Sequence, residues 1–175
     1  LDKQTTEFYH TYSQSVRNLG TPVFSQAFFD KIMAVFAEQA EILTVRQDNK
    51  AVSSVLSFYY KNEVLPYYGG GSLDAKSLKS NDFMYYQLMC HARANKACSH
   101  YDFGRSKLES GAYQYKKHWG MTATELPYQY KLITAASLPN LSPNNPKYQL
   151  LIKVWQHLPL AVSQWLGPML SRYLA

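Results

Sequence analysis

Cysteine is scarce: Cys90 and Cys98 are the two in 175 residues. A disulfide framework needs more. With Cys90 inside a predicted helix, two reduced, half-buried thiols are expected, the state that suits a cytoplasmic protein. No Cys/His pairing at ligand spacing indicates zinc. No apolar run reaches the roughly 18 residues of a spanning helix, and no basic start followed by an apolar stretch reads as a secretion signal. Internal repeats are absent. Acidic residues are few, 12 against 18 Lys and Arg, giving a net charge of +6. That balance favours an anionic partner, such as RNA, phosphates or a membrane surface, and is also what a merely solvated basic face would show.

Apolar and aromatic residues are abundant. Hydrophobic residues are 46% of the chain, which excludes a disordered one, and 15 tyrosines supply apolar bodies with polar tips suited to half-buried positions and polar grooves. The length permits one domain with a real core and an appendage.

Periodicity predicts the elements. Phe8, Tyr12, Val16 and Leu19 form one face of a helix stopped by Gly20. Ser25 caps a second helix to Ala37, with Phe28, Ile32, Val35 and Phe36 along one side. Three strands follow, Glu41 to Arg46, Ala51 to Tyr60 and Glu63 to Tyr68, joined by tight turns as an antiparallel meander and ended by Gly69-Gly70-Gly71. A polar loop leads to a helix over Asn81 to Lys96, with Asp82 and Lys96 complementing its dipole. On it, His91 reads as a packed or exposed histidine, since no second ligand lies near in sequence. A strand over Ser99 to Phe103, a short helix over 112–118 closed by Gly120, and a final strand from Met121 to Tyr130 complete a domain over residues 1–131. The prolines 139, 143 and 146 and Asn144-Asn145 fall in a linker over 132–146. Residues 147–175 read as a helical extension of two short helices, the last amphipathic through Leu160, Trp165, Leu166, Met169, Leu170 and Tyr173. That face is expected to pack back on the domain, the other reading being contact with a partner or membrane. The order predicts an α+β fold of GNAT type, a mixed, largely antiparallel sheet flanked by helices, without its first strand; many α+β domains share pieces of that order.

Chemistry concentrates between Asp102 and Gly120. Gly104 and Gly111 permit backbone that other residues resist. Arg105, Lys107, Lys116 and Lys117 place four cations within 13 residues. Ser106 and Ser110 add hydroxyls, and Tyr113, Tyr115 and Trp119 interleave aromatics. A loop after a strand end with this content suits a phosphate, a carboxylate or a stacked nucleotide. The plainer reading is a solvated basic turn with Asp102 and Arg105 paired.

The strings Asp102-Phe103-Gly104-Arg105-Ser106 and Ser110-Gly111-Ala112-Tyr113-Gln114-Tyr115-Lys116-Lys117-His118-Trp119-Gly120 resemble the signature of FemAB-like proteins of PEP-CTERM/exosortase and exopolysaccharide systems. The helix start Asn81 to Tyr86 and the stretch Gly20 to Ser25 resemble theirs too, with Asn81 in place of a proline and Tyr115 in place of a phenylalanine. The resemblance runs from about residue 5 to 130. It implies the second of two GNAT-like domains, the N-terminal one being a partner outside this sequence, and a cytoplasmic location, peripheral at the inner membrane. It also implies aminoacyl or acyl transfer to an amine of a peptidoglycan or exopolysaccharide-related cell-envelope precursor, with aminoacyl-tRNA as donor. On that resemblance Lys116 after Tyr115 is the catalytic lysine, stabilising charge on the carbonyl and leaving oxygens. Arg105 and Asp102 are the other expected catalytic residues: Arg105 would hold a phosphate or carboxylate, and Asp102 would orient Arg105 in preference to accepting a proton, while Gly104, Ser106, Lys107, Ser110, Gly111, Tyr113, Tyr115, Lys117 and Trp119 would bind substrate. Acetyl-CoA or another acyl-CoA is the less favoured donor. The loop Ser72 to Ser80 has Lys76 and Lys79 but no glycine to wrap a pyrophosphate. Two other readings stay open: a CoA-dependent N-acetyltransferase, and a non-catalytic envelope-associated binding module.

Overall fold

In the computed structural model, which describes residues 3–134, 137 and 146–172, two helices lead into a meander. Helix α1 spans Lys3–Asn18 and α2 spans Gln26–Phe36, followed by strands β1 (Ala40–Gln47), β2 (Lys50–Tyr60) and β3 (Glu63–Gly71). Helix α3 (Ser80–Lys96), the two-residue strand β4 (His100–Tyr101) and α4 (Gly111–His118) come next, then α5 (Pro146–Gln156) and α6 (Leu160–Ser171). The sheet order is β1-β2-β3-β4, with the first two pairings antiparallel and β4 parallel to β3. Two compact units result: residues 1–104 with 150–175, and residues 105–149.

The turns follow from backbone chemistry. Asp48 and Asn49 both take positive φ, 49° and 64°, the hairpin geometry whose twist matches the strands it joins. Pro66, which lacks an N–H, sits in β3 opposite Ser57, where the β2–β3 register shifts, the kind of irregularity to which a strand proline is confined.

Strand β2 is buried nearly throughout because helices cover both faces. Leu56 faces a core of Phe8, Tyr9, Val16, Val23, Phe29 and Ile42 under α1 and α2. Val55 and Tyr59 face a second core of Val64, Met84, Leu88, Ala92 and Cys98 under α3. Two of the buried serines on β2 find hydroxyl partners, Ser53 with Ser80 and Ser54 donating to Thr44 at 3.0 Å, while the Ser57 hydroxyl is buried without one among the described residues.

Several expectations are corrected. On α2 the fully buried ring is Phe29, while Val35 is exposed and Phe28 and Phe36 are on the exposed side of partial burial. Leu19 lies past the end of α1 and is exposed. Gly69-Gly70-Gly71 does not end β3 but extends it, pairing with Val55, Ser54 and Ser53. Residues 121–130 form no strand. They are almost wholly exposed, Pro127 removes a donor, and no partner strand pairs with them among the described residues. Cys98 is buried and Cys90 exposed, both free, rather than both half-buried. The face of α6 is inverted: Ser163, Gly167 and Ser171 are buried, and Trp165, Met169 and Leu170 are exposed. Tyr173 lies outside the described residues.

Candidate functional site

Strand β4 pairs with β3 over two positions, Glu63 with His100 and Val64 with Tyr101. The Asp102 N–H still donates to the Val64 carbonyl at 3.0 Å, and there the ladder stops. From Leu65 onward, that edge of β3 has no strand beside it among the described residues. An open edge next to a parting strand presents backbone donors and acceptors in a row, a setting for an extended ligand carrying amide groups. Aromatic rings line the corner: Phe103 meets Tyr101 at 4.8 Å and Tyr85 of α3 at 5.4 Å. Burial raises the Tyr85 hydroxyl's pKa. Gly69 leaves room for that hydroxyl, which would lie 3.1 Å from any Cβ there.

The glycine run is a packing device. A Cβ on Gly70 would lie 2.5 Å from the Ser15 Cβ of α1, so the bare backbone lets α1 sit directly on β3.

Asp102 closes a short turn, its Oδ1 accepting the Gly104 N–H at 2.6 Å. Gly104 has φ +65°, which glycine adopts without strain. The carboxylate expected to orient Arg105 is thus engaged with the backbone two residues on.

The second unit holds Arg105 onward. Ser110 caps α4, its Oγ accepting the Tyr113 N–H at 3.2 Å and donating to the Lys107 carbonyl at 2.7 Å. This cap aims α4 so that Lys116 Nζ donates to the Arg105 carbonyl at 3.1 Å, joining residues 11 apart. The Arg105 guanidinium donates to the Tyr128 hydroxyl at 3.4 Å. Tyr115 and Trp119 meet ring to ring at 6.4 Å, and Tyr113 is half-buried. Lys107 and Lys117 are exposed, and Gly111 faces open space. The Ser106 Oγ is buried without a hydrogen-bond partner among the described residues. Lys116, Lys117 and His118 occupy the last turn of α4, where the helix dipole favours cations. So the structure brings Lys116 to the Arg105 backbone and gives part of the cationic cluster a helix-stabilising role as well.

One charged group that sequence reasoning missed ties α3 to β1. Glu41 accepts from His91 Nε2 at 2.9 Å and from Lys96, and Asn95 contacts His91 Nδ1 at 3.0 Å. Burial acts to raise the Glu41 carboxyl, but the hydrogen bonds from Lys96 and His91 outweigh it and hold the group below its ordinary value. Lys96 also lies over the Tyr59 ring at 5.1 Å. The partners are 50 residues apart, so no local motif signals them.

The loop before α3 begins with a 3₁₀ turn, Leu73–Ala75, and enters the helix through Lys79 in left-handed conformation without a side-chain cap. Lys76 and Lys79 are exposed, while Asp74 and Asp82 put two carboxylates into the same turn and first helical turn. Ser80, at the helix start, is buried.

A family model described as an acetyltransferase (GNAT) domain matches residues 2–117. No curated protein matches. Among solved structures, the chain is similar to a ribosomal-protein-alanine N-acetyltransferase from Brucella melitensis biovar Abortus 2308. The TM-score is 0.56 at 11% identity, covering 74% of this chain and 94% of that one. A possible acetyltransferase from Clostridium difficile 630 matches at TM-score 0.46 and 13% identity, over 62% of this chain and 76% of that one. The first likeness shows a shared fold: a mixed four-stranded sheet flanked by helices.

Proposed function

The chain belongs to the acetyltransferase (GNAT) domain family, and from that premise we propose that its N-acyl transfer is of FemAB type, forming an amide on an amine of a cell-envelope precursor. The observation that carries the reading is the Lys116 ammonium held against the Arg105 backbone by a capped helix, inside the segment that resembles the FemAB signature. In the reaction the neutral acceptor amine bonds to the donor's carbonyl carbon, the ester C–O bond breaks, and the proton the nitrogen loses ends on the departing ribose oxygen. Lys116 stabilises the charge that builds on the oxygens. The Arg105 guanidinium, with its planar fork, binds the donor's phosphate or the acceptor's carboxylate. Asp102 and Gly104 set the turn from which Arg105 departs.

The loop before α3 supports a donor other than CoA. Acetyl-CoA would place its pyrophosphate at a helix start lined by glycine backbone. Here Ser72 to Ser80 contains no glycine, the turn carries Asp74 and the first turn of α3 carries Asp82, and the first helical residue is buried. A second reading, a CoA-dependent N-acetyltransferase, draws on the family's own description and on exposed Lys76 and Lys79, which offer charge to a phosphate.

The test compares donors in the complete natural polypeptide. Aminoacyl-tRNA is expected to support amide formation on the free amine of a peptidoglycan-precursor peptide, with acetyl-CoA inert. Acetylation of an amine, together with thermal stabilisation by micromolar acetyl-CoA, would replace the first reading with the second.

A further inference from the structure

Helices α5 and α6 attach to the body of the first unit through Ile152, which lies against Gly20, through the buried Trp155, and through polar and small groups. Trp155 Nε1 donates to the Thr21 carbonyl at 3.1 Å, Gln156 to the Asn18 carbonyl at 3.0 Å, and Gln164 to the Ser13 hydroxyl at 2.7 Å. Arg17 of α1 donates to the Leu158 carbonyl at 3.2 Å. Gly167 lies so close to Val23 that a Cβ would be 2.7 Å from its carbonyl oxygen. The buried side of α6 is therefore Ser163, Gly167 and Ser171, four residues apart.

Docking in this way buries Trp155 but leaves several other large apolar side chains outside. Leu150 and Trp165 are each 70% exposed, Leu151 65% and Val154 56%, with Met169 and Leu170 also exposed. Side chains of this size facing water on two successive helices exceed the scattered apolar residues of an ordinary surface. Charge points to what covers them. The 50 residues after Glu125 contain no Asp or Glu, yet they hold Lys131, Lys147, Lys153 and Arg172. Lys153 on α5 and Arg172, directly after α6, are exposed. A second copy seated here would set cation against cation with no carboxylate in these helices to pair them. An anionic bilayer satisfies both properties, accepting the apolar residues and Trp165 at its interface and the cations at its headgroups. Among the described residues no helix is long and apolar enough to cross a membrane, so contact would be along the surface.

We propose that α5 and α6 form a peripheral docking surface for anionic membranes. The test is sedimentation of the protein with vesicles of phosphatidylcholine alone and of phosphatidylcholine with about one-third phosphatidylglycerol, at low and high salt. The protein should partition to the anionic vesicles, less so as salt rises, with a blue shift in fluorescence that Trp165→Phe diminishes. The exposed double variant Leu151→Glu/Trp165→Glu should weaken partition about tenfold or more at unchanged thermal midpoint. Should that variant fail to fold, Lys153→Glu/Arg172→Glu, which keeps the apolar face, decides the matter through the same loss on anionic vesicles. No sedimentation with either vesicle, or partition unaltered by the variants, overturns the proposal. So does a wild-type dimer that the Glu double variant converts to monomer, which would assign the face to a second copy. None of these readouts depends on transferase activity, so failure here leaves the catalytic reading standing, and the reverse.

Discussion

Replacing Phe29 by alanine asks whether the core under α1 and α2 is organised as described. The ring is fully buried and meets Phe8 at 5.2 Å, Tyr12 at 5.5 Å, Phe28 at 5.3 Å and Tyr68 at 5.2 Å, all near edge-to-face. Removing it deletes the transfer free energy of a large side chain and opens a cavity that four rigid rings cannot readily close. Such substitutions cost about 3–5 kcal/mol. For a chain of this size 1 kcal/mol shifts the melting midpoint by about 2–4 °C, so Phe29→Ala should lower it by about 6–20 °C. Phe29→Leu keeps most of the volume and loses the ring contacts, so about 1–2 kcal/mol is expected. Val35→Ala, at an exposed position of the same helix, should fall within about 0.5 kcal/mol. Urea unfolding with an unchanged slope would establish that the native state is what changed. A loss under about 1 kcal/mol for Phe29→Ala, or a larger one for Val35→Ala, would refute the assignment of α2's buried face.

Gly70→Ala should destabilise by about 1–3 kcal/mol, because the new methyl would press on Ser15 and the backbone of Tyr12; chemical denaturation measures it. The Glu41 carboxyl is depressed in the folded protein, so its contribution is present above the ordinary glutamate range and is lost as pH falls through the lower folded value. Glu41 is about one-third exposed, so solvent screening keeps the effect below about 1 kcal/mol. Melting midpoints across pH 3 to 6, a window of about a unit and more around glutamate's usual value, should show Glu41→Gln flattening part of the acid limb. Cys90, exposed, should react with a thiol reagent in the native protein, while Cys98, buried with its thiol pushed up by desolvation, should react after unfolding. Equal native rates would contradict that placement.

The meander was readable because three short β-rich runs are separated by tight turns with their own residues, Asp48-Asn49 above all. The three-helix framework was readable from caps such as Ser25, whose hydroxyl accepts the Phe28 N–H at 3.2 Å. Which side of α2 is buried was not readable. Phe28 and Phe29 are adjacent, and the difference is set by α1 and Tyr68 rather than by spacing. Triple glycine reads as a strand end by propensity, yet here it continues the strand because α1 needs the missing side chains. The strand expected over 121–130 fails for the opposite reason, since a strand exists through its partner. The Lys116–Arg105 meeting lay within reach of the sequence as two neighbouring strings. The Glu41–His91–Lys96 group did not, being made by tertiary packing alone.

The most direct measurement for the account as a whole is the rate of amide formation on a precursor amine by the complete polypeptide, with and without Lys116→Ala. The account predicts a loss of about 10²–10³ in turnover with the melting midpoint unchanged. Transfer that proceeds undiminished in the folded variant would contradict it.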